Sequence, residues 1–196
     1  MSYIGAKPTN VPLTANDITD GSISVAKLTS TLDLSSNTVT LPSGVGGKVL
    51  QVLSTTKTDT FTTTSTSFTD ITGLSQSITP SSTSSKILII GSLQVGSRTD
   101  SQCMFQLLRG STSINIGDAS GSRTRATAEQ DAGTHDGANS VATTFLDSPN
   151  TTSATTYKIQ MRVTGNTHCI NRTRNDGDGD YEGRTTSSIT LYEIAG

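Results

Sequence analysis

From Lys57 to the C-terminus, short runs of β-favouring residues alternate with turn residues, and apolar residues almost never recur at helical spacing. That pattern confines this span to an all-β fold. The candidate strands are residues 58–64, 67–71, 74–79, 86–95, 102–109, 111–116, 140–146, 156–164, 168–172 and 187–194. Residues 87–90 form an unbroken apolar run, the signature of a strand covered on both faces. Ile159, Met161 and Val163 alternate with Gln160 and Arg162, so that strand keeps one wet face. Gly110 marks a hairpin turn. Two polar stretches, 118–139 and 171–184, read as surface excursions, the first with room for one edge strand. Nine or ten short strands joined by Gly-rich turns specify an antiparallel β-sandwich, most simply a jelly roll.

The core available to such a sandwich is thin. Only 31% of the 196 residues are hydrophobic and 4% aromatic, while Ser and Thr make up about a third. Ordinary soluble domains are ~45–50% apolar with Gly included. Charge is also low, at 15%, and Thr, Ile and Val are plentiful, which separates the chain from disordered sequences. A β domain of this size with so little apolar material completes its burial by associating with copies of itself. No apolar run approaches the ~18 residues of a membrane span, and no heptad pattern persists. A formal net charge of −2 leaves no basic footprint for nucleic acid. Cys103 and Cys169 are too few for a disulfide framework and read as buried thiols. Residues 1–12 lack a basic start and an apolar core, so a secretory signal is not expected and folding in a cytoplasm is.

The N-terminal third differs in texture. Pro8 and Pro12 preclude a regular helix over residues 1–20, where Tyr3, Ile4, Val11, Leu13 and Ile18 occur singly. Such a segment cannot bury itself and gains order only along another protein. Residues 21–54 read as a short neck with a hinge at 42–47 and short strands at 38–41 and 48–53. The expected organisation is an arm (1–20), a neck (21–54) and a β domain (55–196).

Little in the sequence points to catalysis. Asp176, Asp178 and Asp180 alternate with Gly177 and Gly179, a spacing that can offer oxygens to a hard cation. Tyr181 and Ser187, however, stand where an EF-hand loop needs Gly and Glu, and Arg172, Arg174 and Arg184 are at hand to neutralise the carboxylates. No metal and no cofactor are expected. Glu129, Asp131, Asp136 and Asp147 lie in polar text and read as solvated charges rather than a glycosidase pair. His168 and Cys169 are strand neighbours whose side chains point to opposite faces. No catalytic residue is assigned. The polar loop Arg174, Asn175, Asp176, Asp178, Asp180, Tyr181 and Arg184 is the candidate contact surface for a receptor. Its aromatic residue suits either a ring under a sugar or a ring packed at a subunit seam.

Several phrases carry a resemblance. LTANDITDGSISVAKL (residues 13–28) resembles a motif of tailed-bacteriophage fibre proteins, VGGKVLQVL (45–53) resembles a linker ahead of their distal domains, and the text of residues 61–89 resembles the first strands of their terminal β domain. The resemblance implies a virion structural protein with a jelly-roll domain similar to the tumour-necrosis-factor trimer. It implies a homotrimer assembled in the host bacterial cytoplasm and anchored to other virion proteins through residues 1–20. The distal domain would touch a host surface glycan or protein. Only one copy of the D-I-T-D-G-S phrase is present, so a short tail fibre or a capsid (head) fibre fits better than a long one. A polysaccharide-degrading tail spike would need repeated β-helix coils, which the sequence lacks.

Overall fold

The computed structural model describes residues 48–96, 101–131 and 137–196. The chain divides at Gly46–Gly47, and every described residue belongs to the second unit. The proposed anchoring residues Tyr3, Ile4, Pro8, Val11, Pro12, Leu13 and Ile18 lie outside the described residues.

The described residues form eleven strands and no helix. They are β1 (Val49–Lys57), β2 (Phe61–Thr63), β3 (Thr69–Ile78), β4 (Lys86–Gly96), β5 (Cys103–Arg109), β6 (Thr112–Ile114), β7 (Ala128–Gln130), β8 (Ala138–Asp147), β9 (Thr155–Val163), β10 (His168–Ile170) and β11 (Ser187–Ile194). All pairings are antiparallel. One sheet runs β1-β11-β4-β8, with β10 continuing the β11 side of β4 and β2 pairing with β10. The second runs β3-β9-β5, with β6 and β7 both on the far edge of β5.

Strand parity builds the core. Tyr157, Ile159, Met161 and Val163 of β9 are buried, while the residues between them are partly exposed. Ile189 and Leu191 of β11 and Ile87, Ile89, Leu93 and Val95 of β4 face them from the other sheet. Each such side chain, moved from water into the interior, contributes about 1.5–3 kcal/mol. The all-β antiparallel architecture expected from the sequence is present.

Three details differ from the sequence reading. First, β1 begins at Val49 and pairs with β11 along its whole length, so residues assigned to the neck are an edge strand of the sandwich. Second, residues 67–79 hold one strand rather than two. Asp70 pairs with Gln160 and Ser75 with Lys158, leaving four residues of β3 opposite Ile159. Third, residues 87–90 are not covered on both faces. Ile87 and Ile89 are buried, but Leu88 is half-buried and Ile90 is 38% exposed, because no described residue lies over the outer face of that sheet. Cys103 and Cys169 are buried free thiols as expected, each pushed up in pKa by burial, Cys103 to about 12.

Candidate functional site

The polar loop between β10 and β11 is shaped from its base upward. Asn171 takes the left-handed conformation (φ 65°) and is fully buried. Its Nδ2 donates to the carbonyls of Lys57 (2.8 Å) and Asp59 (2.9 Å), and its Oδ1 accepts from the Ser187 hydroxyl (2.6 Å). Ser187 Oγ in turn accepts the Gln94 amide (3.0 Å). One side chain therefore ties the loop to β1, β4 and β11. The next step of the loop crosses β4 at Gly96, where a Cβ would stand 2.3 Å from the Arg172 carbonyl. Only glycine permits that approach. The preceding strand β10, three residues long, is buried throughout.

Above this base, Arg172 and Arg184 form an antiparallel bridge that closes the loop. Asp176 sits between the two guanidinium groups, 2.6 Å from Arg184 Nη2 and 3.8 Å from Arg172 Nη1. The structure thus uses Asp176 as an ion-pair partner. No group of three or more His, Cys, Asp or Glu is placed to hold a metal among the described residues.

One of the alternating glycines serves packing. A Cβ on Gly179 would lie 2.7–2.8 Å from the Tyr181 ring, so the ring sits close against that backbone. The outward side of Tyr181 is open, and the residue is 83% exposed. Gly177 differs: the Glu182 carboxylate lies 3.5 Å from its Cβ position, an ordinary contact that a side chain there would tolerate. Glu182 accepts a hydrogen bond from the Thr173 hydroxyl and donates its amide to the Gly179 carbonyl (3.0 Å). Between these groups lies a cavity of about 290 Å³ lined by Gly137, Thr173, Asn175, Tyr181 and Glu182.

Of the residues singled out in the sequence, Asn175 and Tyr181 line this cavity. Asp176 and Arg184 pair beside it. Arg174 is part of the loop's crossing over Gly96, and Asp178 and Asp180 are exposed and do not line the cavity. Sequence reasoning missed Thr173, Glu182 and Gly137. Thr173 and Glu182 are nine residues apart and meet only once the Arg172–Arg184 bridge forms.

A second surface is the outer face of the β1-β11-β4-β8 sheet. The strand register sets Val52 opposite Tyr192, Tyr192 opposite Leu88, and Leu88 opposite Leu146, an apolar row across four strands. Val52 and Leu146 are half exposed, and Ile90 lies in the next row. Val49 and Leu50 add to it at the start of β1.

Two polar constellations lie inside the sandwich. Asp147, expected to be solvated, is buried. It accepts Arg109 Nη1 at 2.9 Å on both oxygens and the Tyr157 hydroxyl at 2.6 Å. Its inward parity on β8 carries it under the Arg109 side chain, and burial followed by the hydrogen bond to Asp147 pushes the Tyr157 phenol up in pKa. Ser101 Oγ and His168 Nε2 are 2.7 Å apart, a pair the sequence did not suggest. Both residues are buried, His168 Nδ1 has no partner among the described residues, and burial lowers the pKa of the imidazole. A Ser–His hydrolase needs an acid on that second nitrogen and room for a substrate; this pair has neither among the described residues.

No protein-family model matches the chain, and no curated protein matches it. Similar solved structures include a chain from the structure of infectious bursal disease virus Gx strain, at 16% identity and a TM-score of 0.37. The match covers 81% of this chain and 42% of that one, so the chain spans under half the length of its structural neighbour.

Proposed function

We propose that this chain is a non-enzymatic structural subunit of a bacteriophage virion, a trimeric short tail fibre. In this reading it is held to the particle by residues 1–20 and displays the loop between β10 and β11 to the host surface. The observation that carries the reading is the outer face of the β1-β11-β4-β8 sheet. Alternate residues of four paired strands bring Val52, Tyr192, Leu88 and Leu146 into one apolar row that nothing described covers. A contiguous apolar face on an otherwise Ser- and Thr-rich protein marks an interaction surface. Copies of the same chain are its occupant, because the thin apolar reserve of one chain calls for shared burial. The resemblance of residues 13–28, 45–53 and 61–89 to fibre phrases supports three copies. The jelly-roll form is supported by connections that repeatedly cross between sheets, as β2 to β3, β3 to β4, β4 to β5 and β8 to β9 do.

The display role rests on the open face of Tyr181 and the cavity beside it. Weak single sites become effective when three per trimer and many trimers per particle engage together. Deleting residues 1–20 leaves a folded trimer that no longer joins particles; loss of folding instead would count against the arm. Purified protein leaves host capsule or lipopolysaccharide at its original chain length, and shortened chains would establish a degrading spike. A capsid (head) fibre or decoration protein is the second reading, since the single D-I-T-D-G-S phrase with no shaft repeats after it argues only against a long tail fibre. A virion map separates the two: residues 1–20 against a tail protein or against the major capsid protein.

A further inference from the structure

We propose that a cavity at the β-bulge of β3, on the outer face of the β3-β9-β5 sheet, binds the ring of a neutral hexose through two neighbouring hydroxyl groups. The site is separate from the loop between β10 and β11 and stands whether or not that loop touches a saccharide.

The register of β3 passes from Asp70, opposite Gln160, directly to Ser75, opposite Lys158, so four residues of β3 span the width of one residue of β9. The surplus chain leaves the ladder and turns at Gly73, whose φ of 83° is left-handed. A cavity of about 290 Å³ opens there, lined by Asp70, Thr72, Gly73, Ser75, Thr156 and Lys158 and backed by two core residues, Ile71 and Leu74. Every one of these residues belongs to β3 or β9.

The charges of the wall cancel. Lys158 Nζ lies 2.8 Å from Asp70 Oδ2. Lys57, whose amine is 3.7 Å from the position of a Cβ on Gly73, is paired with Asp59 at 2.7 Å. A cation would meet an ammonium here and an anion would meet a carboxylate, so a neutral ligand is the one the wall accepts.

What the wall offers is a fixed set of hydrogen-bonding groups. Asp70 Oδ1 accepts Gln160 Nε2 (2.7 Å) and Oδ2 accepts Lys158 Nζ (2.8 Å). These bonds, that from Lys158 first, hold the carboxyl below the ordinary carboxylate range and keep it an acceptor. Each oxygen retains a lone pair, and the side chain is 53% exposed. Two neighbouring ring hydroxyls can donate to the two oxygens together, as a charge-assisted pair. Lys158 keeps two N–H donors beyond the one given to Asp70. The Thr72 and Ser75 hydroxyls make no hydrogen bond among the described residues and serve as donor or acceptor to the rest of the ring. A volume of about 290 Å³ takes one sugar ring rather than an extended chain. In the trimer proposed above, the seam is the outer face of the other sheet, so this cavity lies on the opposite side of the sandwich and stays open. Repetition over copies turns a weak single site into effective adhesion.

The test uses the full chain and a readout local to the cavity: the rate at which acetic anhydride labels Lys158, followed by mass spectrometry while a sugar is titrated in. The probes are the methyl glycosides of mannose, galactose and glucose, with permethylated glucose, glucuronic acid and glucosamine as controls. At least one neutral glycoside should protect Lys158, and permethylated glucose, which has the ring without the donors, should not. Asp70→Asn should weaken that protection by about 10-fold, equivalent to ~1.4 kcal/mol. Thr72→Val, which leaves the Asp70–Lys158 pair in place, should weaken it about 5-fold through one lost hydrogen bond. Circular dichroism should show both variants folded, since both positions are exposed. Protection by none of the neutral glycosides, equal protection by the permethylated ring, stronger protection by either charged sugar, or full protection in both variants overturns the assignment. Calorimetric binding of a neutral glycoside that Tyr181→Ala abolishes, with Lys158 unprotected, also overturns it and leaves the reading of the β10–β11 loop standing.

Discussion

Asn171 offers the sharpest test of how the loop is held. Its side chain makes three hydrogen bonds inside the protein, to the carbonyls of Lys57 and Asp59 and with the hydroxyl of Ser187. Each contributes about 1 kcal/mol net, and the two orphaned carbonyls would remain buried. The backbone at φ 65° adds a further cost of about 1–2 kcal/mol for an alanine. Asn171→Ala should therefore destabilise by about 4–5 kcal/mol, a large share of a domain's ~5–15 kcal/mol. Asn171→Gly relieves the backbone cost and keeps only the hydrogen-bond loss, so it should be milder by about 1–2 kcal/mol. Urea unfolding at one fixed protein concentration measures both, with the concentration held because association contributes to stability. A loss below about 1 kcal/mol for Ala, or equal losses for Ala and Gly, would refute the idea that hydrogen bonding and left-handed geometry at this residue pin the loop.

Other consequences follow from the same structure. Leu146→Asp on the outer sheet face removes about 1 kcal/mol of burial per chain and places an unpaired carboxylate in the seam. Sedimentation and circular dichroism should show the oligomer and the fold lost together, and an unchanged oligomer would exclude that face. Gly179→Ala forces the Tyr181 ring off its seat, so saccharide affinity should drop about tenfold while thermal stability moves little, the site being exposed. Burial opposes the charge on Glu193, but hydrogen bonds from Ser81 and Gln51 outweigh it and hold the carboxyl at about 2, below the ordinary 4.5. That stabilisation is complete above pH 4.5 and is lost as pH falls towards 2, so Glu193→Gln should flatten the acid limb of a melting-temperature profile. His168 acts in the same direction at higher pH. Its pKa in the fold is below the ordinary 6.5, the unfolded chain binds the proton more readily, and stability declines as pH drops below 6.5. A His168→Asn variant whose profile still falls between pH 6.5 and 5 would contradict that assignment.

Periodicity made much of the sandwich legible. Strands β4, β9 and β11 lie within a residue or two of their expected bounds, because each carries enough alternating apolar residues to declare its inward face. Short-range signals also exposed the hairpin at Gly110, joining β5 to β6. What stayed hidden depends on partners distant in sequence. Residues 48–53 read as neck since nothing local reveals that Leu53 pairs with Leu191. Asp147 looked solvated among polar neighbours, and only the fold brings Arg109 and Tyr157 to it. Tyr181 was visible as an aromatic in a polar loop, whereas nothing local singled out Glu182. Its role depends on Thr173, which approaches it through the closed loop.

Sedimentation equilibrium of the purified full-length chain at micromolar concentration addresses the central claim most directly. The account predicts a species of three times the 20.4 kDa of one chain, dissociating only as the sandwich unfolds. A 20.4 kDa particle that melts cooperatively by itself would contradict it.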